Sequence, residues 1–214
     1  MRDHNSTYSP YTFLTDSDSE SFFAELDYRL RSGEHIQSQY RGQEDIFSFL
    51  SKYTTELAHY YKALFGLSLE EAGSAYGSRY YYLDSIEGVK NKVSNELRRP
   101  LKKEFVLLGI FLCKLQIDLS EVDTVRGFKR VLREDYEAYK DSFFRLLARV
   151  SGDDHIETDE EAVDKIIDSA FREFHRLGWV DLEGDRFEIM PSLERLRTLY
   201  VNEINNIDEL LSYE

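Results

Sequence analysis

The chain has a single cysteine in 214 residues, so no disulfide can close within it. That residue, Cys113, directly follows an apolar run, where a thiol is expected to be an inert buried side chain rather than a nucleophile. Positive charge is also scarce: 27 Lys and Arg stand against 41 Asp and Glu, a net charge of −14. A protein that gripped DNA unaided would neutralise phosphates with clustered cations, and this balance argues against one. Local contact stays open, with the acidic remainder turned toward solvent or a basic partner. Long apolar runs are missing as well. Phe105 to Leu112, closed off by Lys103 and Lys114, falls far short of the roughly 20 residues that span a bilayer. The amino end lacks the charged, apolar and small-residue succession of a secretory signal, which makes the cytoplasm the expected location.

Catalytic signatures are absent too. There is no GxxxxGK[ST] phosphate loop, no GxGxxG, no HExxH and no GxSxG. His4, His35, His59, His155 and His175 are scattered, none four residues from another. The acidic cluster from Asp153 to Glu161 lacks the glycine and alternation of a calcium loop, and acids at a helix start are accounted for by the helix dipole. Neither an enzyme nor a bound metal or other cofactor is expected.

What is present is most legible between 159 and 190. Val163, Ile166, Ile167, Ala170, Phe171, Phe174 and Leu177 make one helical stripe, and Thr158 with Glu161 reads as its capping box. Gly178 suits the left-handed position that ends a helix, and 179–183 and 186–190 alternate around Gly184-Asp185 as a hairpin. Helix then wing is the end of a winged-helix domain, a fold that grips either DNA or protein. An earlier unit has the same order. Residues 1–18 read as a loose polar arm. Ser17 and Glu20 form a capping box opening a helix striped by Phe22, Phe23, Leu26 and Leu30 and stopped by Gly33.

His35-Ile36 is a short segment, and Gln43 to Phe65 then forms a helix whose apolar stripe is wider than one face needs, so it is buried on several sides or borrows a partner's surface. Leu67 to Glu71 and Arg79 to Leu83 predict two strands. In Tyr80-Tyr81-Tyr82, alternation favours core on one face and partner contact on the other over base stacking.

The expected organisation is mainly α with small β-hairpin wings: an arm at 1–18, a winged-helix domain at 19–88, a basic linker at 89–101, a second winged-helix domain at 102–191, and a helix with an acidic tail at 192–214. The second domain should hold a very apolar helix from Lys102 to Ile117 and further helices near Thr124 to Leu132 and Tyr136 to Val150.

Phe23-Ala24-Glu25-Leu26-Asp27, then Leu30-Arg31-Ser32-Gly33 and His35-Ile36, resemble the opening of the MukE and MksE family of condensin accessory subunits. The likeness continues through the helix 49–65 and the strand 79–83, and returns in Phe174-His175-Arg176-Leu177-Gly178-Trp179-Val180. The middle, 119–157, diverges, and no long acidic extension of the MukE kind follows, which favours the shorter MksE-like branch, including its Wadjet plasmid-defence relatives. The resemblance implies a KITE subunit: tandem winged helices that form a homodimer and clasp a kleisin of the MukF or MksF kind, linked to an SMC ATPase of the MukB or MksB kind. Its role would be chromosome organisation or plasmid defence at the nucleoid.

By that likeness the amino-terminal module carries the dimer, and Phe47, Leu50, Tyr53 and Tyr61 are the expected dimer or kleisin contacts. Duplex DNA would be touched weakly, within the complex, by Lys165, Arg172, His175 and Arg176. A winged-helix transcriptional regulator is the alternative, and it would need a more basic recognition helix.

Overall fold

The computed structural model describes residues 11–73, 77–88, 100–118, 122–134, 140–152 and 159–207, with Glu209. Thr158, most of the basic linker and the end of the acidic tail lie outside the described residues. The chain divides into two compact units, Met1–Arg99 and Pro100–Glu214.

The first unit opens with a 3-10 turn at Thr12–Thr15, followed by α1 (Ser17–Arg31), β1 (Ile36–Gln37), α2 (Glu44–Lys52), α3 (Thr54–Phe65), β2 (Leu67–Gly73) and β3 (Arg79–Ser85). Asp16, not Ser17, caps α1: its carboxylate accepts the Asp18 N–H at 3.0 Å, so the expected capping box is replaced by an acid one residue earlier. The single helix expected over 43–65 is two. Tyr53 leaves the helical region at φ −116°, ψ 26°, and the Thr54 hydroxyl donates to the Leu50 carbonyl at 3.0 Å, offering the backbone an alternative to a continued helix. The break divides the wide stripe, and Ile46, Phe49 and Leu50 of α2 and Leu57 and Tyr61 of α3 all reach one core.

Gly66, left-handed at φ 69°, turns the chain directly into β2. β2 and β3 pair antiparallel from Leu67↔Ser85 to Gly73↔Arg79. β1, a strand too short for alternation to mark, pairs with β3 at Ile36↔Tyr81 and Gln37↔Tyr80, giving the order β1-β3-β2. Buried Gln43 fixes that edge: its Oε1 accepts the Gln37 N–H at 2.9 Å and its Nε2 donates to Glu34 at 2.7 Å.

The second unit contains α4 (Lys103–Asp118), α5 (Val125–Glu134), α6 (Lys140–Ser151), α7 (Glu160–Leu177), β4 (Val180–Glu183), β5 (Arg186–Ile189), α8 (Leu193–Leu199) and α9 (Val201–Asn205). Asp159 caps α7, accepting the N–H groups of Glu161 at 2.9 Å and Ala162 at 3.0 Å, the role expected of Thr158. Of the seven residues in the stripe expected for α7, all are buried except Ile166, which is partly so. The hairpin runs from Val180↔Ile189 to Glu183↔Arg186, and Thr124 bridges to Arg186 on its other side.

α4 is apolar around its circumference because it packs against α6, α7, α8 and α9. At Gly109 a Cβ would lie 2.5 Å from Leu196 Cδ2, so the missing side chain is what lets α8 approach. The described residues after the boundary expected at 191 continue the second unit: Leu193, Leu196, Ile204 and Ile207 belong to the same core as α4 and α7.

Candidate partner and nucleic-acid interfaces

Residues 11–16 are not a loose arm. Phe13 is fully buried, its ring 5.0 Å from that of Phe23 and 6.0 Å from that of Tyr60, and Tyr11 meets His59 edge-on at 5.7 Å. The Ser19 hydroxyl donates to the Phe13 carbonyl. Asp16 accepts from Lys52 Nζ at 2.6 Å and from the Tyr53 hydroxyl. These bonds, that from Lys52 first, hold the Asp16 carboxyl well below the usual carboxylate range. The apolar surplus of α2 and α3 is thus covered in part by the chain's own leading segment.

The four expected contact residues separate accordingly. Leu50 and Tyr61 are fully buried within the unit, so neither side chain is exposed on its surface. Burial pushes the Tyr61 hydroxyl far above its ordinary range. The helix break at Tyr53 accounts for this burial, since it lets both helices turn their apolar faces inward. Phe47 and Tyr53 remain partly exposed: Phe47 lies 5.6 Å from the Tyr81 ring with the Arg79 guanidinium over it at 5.9 Å. Three apolar residues outside the expected set are more exposed, Tyr28 at 73%, Leu14 at 54% and Leu64 at 51%. Tyr28 carries a signal in the sequence, being an aromatic outside the stripe of its own helix. Of the three consecutive tyrosines, Tyr81 enters the core, while Tyr80 and Tyr82 stack on each other with His35 beside them.

In the second unit, Lys165 is exposed and pairs with Glu161 at 2.8 Å. Arg172 is exposed and donates to the Ser169 hydroxyl at 3.1 Å. Arg176 grips Glu173 with two hydrogen bonds, at 2.9 and 2.6 Å. His175 points to the hairpin instead, its Nδ1 accepting the Leu182 N–H at 3.1 Å. Asp164 and Asp168, which in sequence surround the cations of α7, are drawn away by α5: Arg133 pairs with Asp164, and Lys129 with Asp168 at 2.6 Å.

Together α5 and α7 carry seven Lys or Arg and six Asp or Glu, so this helix pair does not share the acidity of the whole chain. Arg126 and Arg130, exposed on α5 and not among the DNA contacts expected from the sequence, line a groove of about 420 Å³ with Lys129, Arg133 and Asp164. Their signal is legible, since Val125, Phe128, Val131 and Leu132 take the inward face and leave the cations outward.

A family model described as condensin complex protein MksE matches residues 21–201, across both units. The chain belongs to the MksE family. Membership makes it an accessory component of a condensin-like complex, a family of non-catalytic kind. No curated protein matches the chain. Among the described residues no helix is long and apolar enough to cross a membrane.

Proposed function

We propose that this MksE-family chain is a tandem winged-helix subunit of an SMC complex that dimerises, clasps a kleisin and touches duplex DNA only inside the assembly. The observation that carries this reading is a repeated arrangement. In the first unit a helix, a strand, two helices and a hairpin follow one another, with the first strand on the outer side of the last. The second unit has the same order in α4, Thr124, α5, α7, β4 and β5, with α6 inserted before α7. That order supports the winged-helix reading, and two copies in a condensin-complex family fit a brace between protein partners rather than a lone reader of operators.

Within this reading Phe47 and Tyr53, joined by the exposed Tyr28 and Leu64, form the dimer or kleisin contact of the first unit, and Leu50 and Tyr61 support it from beneath. Lys165, Arg172 and Arg176 offer DNA a few charges, too few to hold it without the SMC and kleisin subunits. The complex would use that contact to entrap DNA in chromosome organisation or plasmid defence. The test is a titration of short duplex DNA at low salt into the assembled complex and into the lone chain. The expected result is no measurable retention by the lone chain, and weaker, less salt-dependent binding by the complex after Arg172→Glu and Arg176→Glu. Sequence-specific retention by the lone chain would instead make it a transcriptional regulator.

A further inference from the structure

We infer that His175 is a two-position latch for the hairpin of the second unit, neutral while the hairpin is docked on α7 and bonded to Asp181 once protonated. The last turn of α7, the left-handed Gly178 and Trp179 bring the chain back so quickly that β4 passes beside the His175 ring. Among the contacts of a single ring nitrogen are one donor and two acceptors. Nδ1 is 3.1 Å from the Leu182 N–H, 3.4 Å from the Val180 carbonyl oxygen and 3.8 Å from Asp181 Oδ1. A backbone amide can only donate, so Nδ1 must carry a lone pair and the ring proton must sit on Nε2. A proton on Nδ1 reverses the preference. The Leu182 N–H then faces another N–H, while the Val180 carbonyl and the Asp181 carboxylate become its partners.

The strand that must move has four residues; Val180 at its start is buried in the core, and Leu182 packs against that core. Leu182 pairs with Phe187, whose ring lies 4.8 Å from that of Phe171, so a shift of β4 is felt at the foot of the wing. The charged groups on the elements packed here are Arg172, Arg176 and its partner Glu173 on α7, Asp181 and Glu183 on β4, Asp185 in the turn, and Arg186 and Glu188 on β5. Asp181 is the acid that Nδ1 meets, and its side chain is mostly shielded from solvent, which lets it compete for the proton. While the hairpin is docked the ring is uncharged, so His175 acts as a positioning residue of the wing and not as the DNA-contacting cation expected from its place near Arg176.

The experiment is NMR on the labelled full chain at pH 8 and pH 5, reading the His175 ring nitrogens and the protection factor of the Leu182 amide. The wild type should show bare Nδ1 at pH 8 and lose Leu182 protection by about three- to tenfold at pH 5, the range of one ordinary hydrogen bond. In His175→Phe the protection should be low and alike at both values, and Asp181→Asn should lessen the loss of Leu182 protection at pH 5. An Nδ1–H tautomer at pH 8, equal Leu182 protection at both pH values, or the same pH-dependent loss in His175→Phe would overturn the latch. A loss of Leu182 protection in Asp181→Asn equal to that of the wild type would overturn the role given to Asp181.

Discussion

Phe13 shows how one side chain can change the meaning of a whole segment. In sequence it is an isolated ring in a polar stretch with no periodic neighbours; in the fold it is enclosed by Phe23, Tyr53 and Tyr60. Phe13→Ala should cost about 3 kcal/mol, the lower end of the range for emptying a buried phenylalanine site, because the strap can detach without unfolding the rest. Urea unfolding of the full chain measures that loss. Asp16 holds the same strap electrostatically, and its carboxyl is lowered by Lys52 and Tyr53. A depressed carboxyl contributes stability that is complete above the ordinary value near pH 4 and is lost as pH falls toward its folded value. The difference in urea midpoint between wild type and Asp16→Asn should therefore be constant above about pH 5 and shrink below pH 4. Cys113 gives a third check, since burial pushes its thiol up to about 12. At pH 8 a thiol reagent should leave the native chain unlabelled and modify one cysteine per chain in urea.

Among the elements, the most constrained contact is that of α4 with α8 at Gly109. Gly109→Ala should destabilise by about 1–3 kcal/mol, as overpacking of a filled core does, even though alanine favours a helix. Leu196→Ala in the same chain should recover part of that loss, and a double-mutant cycle by urea unfolding checks the coupling. β2 and β3 fall where two strands are expected, and α7 and its hairpin are legible in sequence because strong periodicity, a left-handed glycine and a Gly-Asp turn agree with one another. The break at Tyr53 is not, because no glycine or proline marks it and the decisive bond is a threonine hydroxyl to a carbonyl. β1 is two residues long and shows no period, and its place depends on a tertiary partner, Gln43. The helix expected from 192 is α8, but its seat against α4 depends on Gly109, which no period marks. Of the candidate contacts, Lys165 and Arg172 are legible because exposed charge follows from the helical period. The burial of Leu50 and Tyr61 is not, because periodicity shows that a face is apolar without showing whether its own chain or another covers it.

For the whole molecule, charge and partnership are linked. The net charge of −14 falls unevenly, and the pair α5 and α7 is close to balance. Long-range repulsion of a polyanion is thus combined with a local surface that tolerates one, the arrangement expected of a protein that meets DNA only when other subunits bring it close. The strap over α2 and α3 means that the first unit does not need a partner to cover its core. Tyr28, Leu14 and Leu64 still leave apolar surface outside it, and substitution of Tyr28 and Leu64 by serine should weaken assembly while leaving the unfolding free energy of the lone chain, from urea titration, within about 0.5 kcal/mol. The central claim is that this MksE-family chain works by holding other proteins. Its most direct test is co-expression with the kleisin and SMC ATPase proposed as its partners, followed by size-exclusion chromatography with light scattering. The account predicts one stable assembly containing two copies of the chain; elution of the chain alone, as a monomer free of both subunits, would contradict it.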